Sequence, residues 1–356
     1  MNISYKQKQI IETSKKQVVV YASAAAGKTF TLVERIKYLL NKDVAPEKIV
    51  VITFTNAAAE EMKKRIGETK GMFIGTVHSY CNYILLSAGV VTDQYLNEER
   101  FDELFELVNE NPHCIQEVDY LIVDETQDST PNQLMFFKEV NPKNWMYFMD
   151  LRQSIYGFAG ADPENFITIM EAPGVEIMEL NENYRNGPTI LNFAKRIING
   201  SAMGDYSLFD DSICMREFAA DKCIETEYSL EKILAILQRE DGNKYGKWFV
   251  LTRNNEQIEN ISAFLTKNNI PNDSFKRSQL STSEFQEKMK ENTVKVLTVH
   301  SAKGLEAENV IVVGVPKWNQ KAEERRVAYV AATRARDRLI WMKSAQKRKP
   351  RIQAWE

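Results

Sequence analysis

The sequence is short of cysteine and histidine and has no long hydrophobic run, and each shortage excludes something. Among its 356 residues the four cysteines, Cys81, Cys114, Cys214 and Cys223, lie far apart and form no C-x-x-C pair. That argues against a disulfide framework and a zinc site, and for reduced thiols. Three histidines are too few for a His-rich metal centre, so any metal chemistry must use carboxylates and phosphates. The longest apolar runs, Ile49 to Phe54 and Val310 to Val315, are strand-length and far short of a bilayer span. The first residues, Met1 to Gln7, lack an apolar signal core, so the protein is expected to stay in the compartment where it is made, the cytoplasm, with no membrane partner. A formal net charge of −3 gives no global sign of nucleic-acid binding, but a local groove stays open. The basic run Lys347-Arg348-Lys349 reads first as a solvated terminus and second as a phosphate-contacting tail.

What is present is an alternation. Short β-rich runs separate helix-period segments along nearly the whole chain, the pattern of a parallel α/β sheet. The expected strands are Val18–Ala22, Ile49–Phe54, Met72–Thr76, Tyr120–Asp124, Trp145–Asp150 and Val175–Leu180. A second series follows at Trp248–Thr252, Val294–Val299, Val310–Val315 and Leu339–Lys343. Two tandem sheets with a boundary near residue 180 result. Phe101, Leu104, Phe105 and Val108 predict an amphipathic helix over Asn97–Asn111, and Leu230, Ile233, Leu234 and Leu237 a second. The polar stretches Gly200–Asp221 and Pro271–Glu291 read as loops or a small excursion.

Val18 to Ala22, followed by Ser23-Ala24-Ala25-Ala26-Gly27-Lys28-Thr29, is a strand, a loop of small residues and a helix start. Small side chains let backbone N–H groups turn around a phosphate, and the helix N-terminus adds positive potential. Lys28 would then reach the β and γ phosphates and Thr29 would ligate Mg²⁺. Further on, Tyr120-Leu121-Ile122-Val123 delivers Asp124 and Glu125 at a strand end. One carboxylate can hold the Mg²⁺ shell and the next orient or deprotonate water. Together the two motifs point to hydrolysis of a nucleoside triphosphate with Mg²⁺.

With these residues in place, further segments fall into order, and the chain resembles the superfamily 1 DNA helicases of the UvrD/Rep type. Ile52 to Met62, Gly75 to Tyr80 and Asp150 to Phe158 are similar to two DNA-contacting motifs and the motif coupling nucleotide to DNA. Leu180 to Arg185, Val299 to Glu306 and Glu324 to Ala335 are similar to motifs of the second core domain. The match runs from about Gln7 to about Arg336.

The resemblance implies a P-loop NTPase with two tandem RecA-like parallel-sheet domains and an ATP-binding interdomain cleft. The N-terminal domain would span 1–180, with a helical insertion at about 82–118, and the C-terminal domain 181–356. By family position Gln7 reads the adenine edge, Tyr184 stacks on the base, and Phe30 flanks it where an arginine is common. Ala24 to Gly27, Lys28 and Thr29 hold phosphates and metal, Asp124 binds Mg²⁺ and Glu125 activates water. Gln153 senses the γ-phosphate, Arg185 and Arg334 are paired arginine fingers, and Glu306 touches the ribose. The DNA contacts implied are Phe54, Thr55, Asn56, Thr76, His78, Tyr156, Phe158 and His300. Core packing is an equal or near-equal reading for Phe54 and His78. Ala25, Met149, Ala159 and Ala307 depart from the family pattern.

The implied activity is a 3′ to 5′ DNA helicase or translocase acting as a monomer on single-stranded DNA and single-strand/duplex junctions, in replication, repair or recombination. The larger family members carry accessory subdomains. Here the interval from Cys81 to Asp119 is about forty residues and that from Pro271 to Thr293 about twenty, too little for full insertions, and no nuclease module follows Arg336. A stripped-down motor is expected. The alternatives are a translocase that displaces proteins and unwinds poorly, or an ATP-switched binding protein.

Overall fold

The computed structural model describes residues 3–67, 70–199, 213–215, 221–239, 244–275, 282–314 and 321–344. They form two compact units, one reaching Tyr184 and including 213–215, the other holding the rest from Arg185 onward.

In the first unit, continuous apolar runs become the inner strands, buried on both faces as parallel sheets require, while the edge strand Glu176–Leu180 buries only Leu180 fully. They are β1 (Gln17–Ala22), β2 (Ile49–Ile52), β3 (Phe73–Gly75), β4 (Tyr120–Val123), β5 (Asn144–Met149) and β6 (Glu176–Leu180). Their order is β3-β2-β4-β5-β1-β6, with every pair parallel. Alternate side chains enter opposite cores. Val18, Val20, Val51, Ile122 and Phe148 pack with Leu32, Val33 and Ile36 of the helix Lys28–Leu40. Val19, Tyr21, Val50, Leu121 and Tyr147 pack with Tyr80 and Ile84 of Val77–Ser87 and with Leu104, Phe105 and Val108 of Glu103–Glu110. The short strands β7 (Glu182–Asn183) and β8 (Ile213–Cys214) pair beside this sheet.

The second unit repeats the arrangement with β9 (Lys222–Glu227), β10 (Trp248–Thr252), β11 (Asn272–Ser274), β12 (Val294–Thr298), β13 (Ala307–Val313) and β14 (Ala335–Lys343). Their order is β11-β12-β10-β13-β14-β9, again all parallel. Leu230–Gln238 and Asn255–Lys267 cover one face through Ile233, Leu237, Ile261 and Leu265. The α/β class with two RecA-like parallel-sheet domains is the fold found.

The differences from the sequence expectation lie at edges. Pro271–Glu291 is not all loop: it contains β11 and the helix Thr282–Lys290. Asn-Asp-Ser has no apolar signal; β11 is held instead by Asp273, which pairs with the buried Lys295 of β12 at 2.8 Å. Edge strand β9, Lys-Cys-Ile-Glu-Thr-Glu, has no fully buried residue and so no apolar run to announce it. The expected strand Ile49–Phe54 ends at Ile52, and Phe54 stands beyond the sheet at 40% exposure. The amphipathic helix begins at Glu103 rather than Asn97, leaving Phe101 before it. Most of Gly200–Asp221, together with Val315 and Lys347 to Lys349, lies outside the described residues.

Candidate nucleotide and nucleic-acid sites

The loop after β1 is shaped by two left-handed residues, Ala25 at φ 59° and Gly27 at φ 78°. Gly27 is needed twice over. Its φ disfavours L side chains, and a Cβ there would stand 3.0 Å from Gln7 Nε2. Gln7 is itself fixed by the capping box of Tyr5–Glu12, its Oε1 accepting from Ser4 N at 3.0 Å. On the far side Asn183 Nδ2 donates to Ala24 O at 2.9 Å and Tyr184 N to Ala25 O at 3.1 Å. The predicted base-contacting residues Gln7 and Tyr184 therefore both border the loop, with Tyr184 42% exposed. Phe30 lies in the first turn of Lys28–Leu40 beside the half-buried Thr29.

Ala25 pays the usual cost of a β-carbon in the left-handed region, about 1–2 kcal/mol, partly offset by the extra freedom of an unfolded glycine. Ala25→Gly should raise stability by about 0.5–1 kcal/mol in urea unfolding, and a decrease would show that the loop does not hold this conformation.

Lys28 Nζ lies 3.1 Å from Glu125 Oε1, with Asp124 and Asp150 close enough to act on its charge. Burial opposes the ammonium, but the three carboxylates outweigh it and hold the Lys28 pKa above the ordinary lysine value. Glu125 is itself left-handed, at φ 49°, and its N–H donates to Asp124 Oδ1 at 3.0 Å. Asp124 is nearly buried, whereas the Glu125 side chain keeps 26% exposure. One carboxylate is thus anchored and the next open to water. Gln153 Nε2 donates to Asp150 Oδ2 at 2.8 Å, and Arg152 Nε to Asp150 Oδ1 at 3.0 Å.

Gln127, within the Asp-Glu segment, was not singled out by sequence reasoning. Fully buried, it donates from Nε2 to Glu125 Oε2 and accepts at Oε1 from Asp150 N at 3.0 Å, while its backbone O accepts from Ser154 Oγ at 3.1 Å. It ties the strand end carrying Glu125 to the loop carrying Gln153. The only sequence signal was a polar residue two places after Glu125.

Both loops and the Lys28 loop leave the C-terminal ends of β4, β5 and β1, three neighbours in the sheet. That is where ligands bind in open α/β sheets. The site fits a magnesium nucleotide: a buried ammonium at a helix N-terminus meets a small carboxylate set, suited to a metal that keeps phosphate and water ligands.

In the second unit, Arg185 Nε pairs with Glu306 Oε2, Arg185 Nη1 donates to Thr333 O at 3.2 Å, and Arg336 Nη1 stands 3.5 Å from Glu306 Oε1. Burial would raise the Glu306 pKa, but Arg185, Arg336 and Arg334 hold it below the ordinary value. Arg334 donates to Val330 O at 3.0 Å and Leu305 O at 3.2 Å. The predicted Arg185, Glu306 and Arg334 converge on one edge of that sheet, where β13 and β14 begin.

The remaining predicted residues take two kinds of place. Phe54 and Tyr156 rings lie 4.7 Å apart and Tyr156 and Phe158 5.8 Å apart, forming a row whose end, Phe158, is 74% exposed. Thr55 and Thr76 instead cap helices, accepting from Ala58 N and Ser79 N, each at 3.2 Å, and Asn56 opens the first of those helices. His78 packs 5.5 Å from both Phe101 and Phe105. Burial lowers its pKa against the opposing pull of Asp102, so the imidazole is neutral at pH 7. His300 is half-buried in the turn after β12.

Residues 3–110 and 99–173 match the UvrD/REP helicase N-terminal domain, and residues 272–346 match the UvrD-like helicase C-terminal domain. The chain belongs to the UvrD/Rep-like superfamily 1 helicases. It is 25% identical over 375 residues to the ATP-dependent DNA helicase PcrA of Staphylococcus epidermidis (strain RP62A), and 26% identical over 369 residues to that of Staphylococcus aureus (strain Mu50). Each match covers 76% of this chain and 50% of the relative, so the chain spans about half the length of the curated relatives it matches. No helix among the described residues is long and apolar enough to cross a membrane.

Proposed function

We propose that the chain is an ATP-dependent DNA motor that moves 3′ to 5′ along single-stranded DNA and separates duplex ahead of it. One observation carries this reading. The C-terminal edge of one sheet presents Lys28 paired with Glu125 beside Asp124, together with the aromatic row Phe54, Tyr156 and Phe158, exposed at both of its ends. A hydrolytic centre and a stacking surface share one rigid support. The polarity is that of the family, to which PcrA belongs.

Magnesium ATP, when bound, would supply the phosphoanhydride bond whose hydrolysis drives the cycle. Gly27, Lys28 and the small residues Ala24 to Ala26 would hold phosphates, Thr29 and Asp124 the metal, and Gln7 and Tyr184 the base. Glu125 orients and deprotonates water. Arg185 and Arg334 supply the positive charge that phosphoryl transfer needs, an effect of about 10³ to 10⁵ in rate for such arginines. The joint between the two RecA-like domains would fall near residue 180. The interval between Cys81 and Asp119 holds the rest of Val77–Ser87, the short helices Asp93–Asn97 and Glu103–Glu110 and the single 3-10 turn Pro112–Cys114. That brevity favours a second reading, a translocase that displaces proteins and unwinds poorly.

ATP hydrolysis with and without single-stranded DNA, then strand displacement on 3′-tailed and 5′-tailed duplexes, separates these. Absence of stimulation by DNA would sink the motor. Stimulation without displacement selects the second reading.

Gln127→Glu gives a finer check of the relay. It keeps an acceptor for Asp150 N but sets a like charge against Glu125. A nearby negative charge disfavours ionisation, so the Glu125 pKa rises. Because the base acts as a carboxylate, the acid limb of the pH–kcat profile should move to higher pH. An unmoved limb would show that Gln127 does not reach the catalytic carboxylate.

A further inference from the structure

The second unit has a concave site that plays no part in nucleotide chemistry. It encloses about 370 Å³ between the helix Pro188–Asn199, the first turn of Ala322–Ala332 and strands β9 and β14. Its floor is the edge-to-face pair Phe193 and Trp341, whose ring centroids lie 5.2 Å apart, both nearly buried. Its walls are cationic. The Arg196 guanidinium lies 5.5 Å over the Phe193 ring, Arg325 faces in from the neighbouring helix, and Lys343 pairs with Glu225.

Three cations thus meet one carboxylate, and that carboxylate is taken by Lys343. Among the described residues no carboxylate pairs with Arg196 or Arg325. Asp221, which reaches the same helix, is committed at the helix's other end, accepting from Thr189 N at 2.5 Å and Ile190 N at 3.3 Å. Two guanidiniums left without counter-charge in a concavity suit a tetrahedral oxyanion, since each presents a planar fork that matches phosphate oxygens.

The sheet register says which phosphate is within reach. Met342 pairs with Val313, Val312 with Leu251, and Leu251 with Leu297. Lys343 therefore stands level with Val299, the residue before His300. The pocket and His300 lie at the same C-terminal edge, three strand spacings or about 14 Å apart. Arg185, Glu306 and Arg334 lie at the opposite edge, where Ala307 pairs with Ala335. The pocket is on the side of the proposed DNA contact and away from the nucleotide groups.

We propose that this pocket is a phosphodiester site, in which Arg196 and Arg325 hold a backbone phosphate of a nucleic acid that also passes His300. This rests on the DNA-motor reading and adds a contact to it. The phosphate is gripped from the sugar-phosphate side, so the contact carries no sequence preference.

The test is the affinity of fluorescein-labelled oligo-dT for the full chain, titrated across a series of salt concentrations. Each phosphate neutralised on a single strand contributes about 0.7 to the slope of log K against log salt. Arg196→Gln and Arg325→Gln should each weaken binding by about three- to tenfold at low salt and flatten the slope by roughly that amount. Arg196→Lys keeps the charge and should keep the slope, which separates charge from folding. Wild-type slopes in both glutamine variants would overturn the proposal, even with DNA-stimulated ATP hydrolysis intact. Should the wild type bind no DNA, the motor reading and the pocket fall together. Inorganic phosphate, titrated into the wild type and followed by thermal shift, tests the other source. Phosphate stabilisation lost in the variants while their DNA slopes stay unchanged would make this a small-anion site and overturn the assignment.

Discussion

Glu125→Gln is expected to lower the turnover number for ATP by about 10²- to 10⁴-fold and to leave ATP binding in place. The substitution is nearly isosteric. The amide oxygen can still accept from Lys28, and Asp124 and Asp150 still act on the buried ammonium, so the phosphate-facing charge survives. What disappears is the one carboxylate of the cluster that is open to water. Lys28→Ala makes the contrasting case. It removes the cation that the carboxylates surround and leaves Glu125, Asp124 and Asp150 repelling one another, so nucleotide affinity and turnover should fall together. Equilibrium binding of ATP and single-turnover hydrolysis, measured on both variants, check the split. Hydrolysis retained in Glu125→Gln would mean that water is activated elsewhere.

The residues that meet at this centre were legible because they are close in sequence to the strands that carry them. An apolar run followed by small residues and Lys28-Thr29, or by Asp124-Glu125, needs no tertiary information to be read. What brings the two together is the strand order β3-β2-β4-β5-β1-β6, and nothing in the residues of β1 says that its neighbour is β5. The Gln127 relay was beyond reach for a related reason. It depends on Glu125 adopting φ 49°, a conformation that glutamate does not advertise, and on Asp150 arriving from another strand.

The same limit bears on the ambiguous residues. Phe54 and His78 each had a core reading and a DNA reading of similar weight in the sequence. The early end of β2 put Phe54 outside, beside Tyr156, whereas the helix Glu103–Glu110 and the residues before it put Phe101 and Phe105 around His78. Strand β11 shows the converse failure, since three polar residues form an edge strand beside β12, where Lys295 pairs with Asp273.

Phe158→Ala should weaken single-stranded DNA binding by about 1–3 kcal/mol, or roughly 5- to 150-fold, because base stacking on an aromatic ring is worth that much whatever the base. The ring is 74% exposed, in a short turn flanked by Gly157 and Gly160, so its removal should change stability by no more than about 0.5 kcal/mol. That combination is what distinguishes a stacking platform from packing. Phe54→Ala gives the comparison: Phe54 touches Tyr156 at 4.7 Å, so its loss should cost both stability and affinity. Because the rings touch in series, the two substitutions are expected to be non-additive in DNA affinity. Oligo-dT titration by fluorescence anisotropy, together with the DNA concentration giving half-maximal stimulation of ATP hydrolysis, measures the effect. Unchanged affinity in Phe158→Ala would take the DNA off this edge of the sheet and leave the exposed aromatic row to be explained by a protein partner.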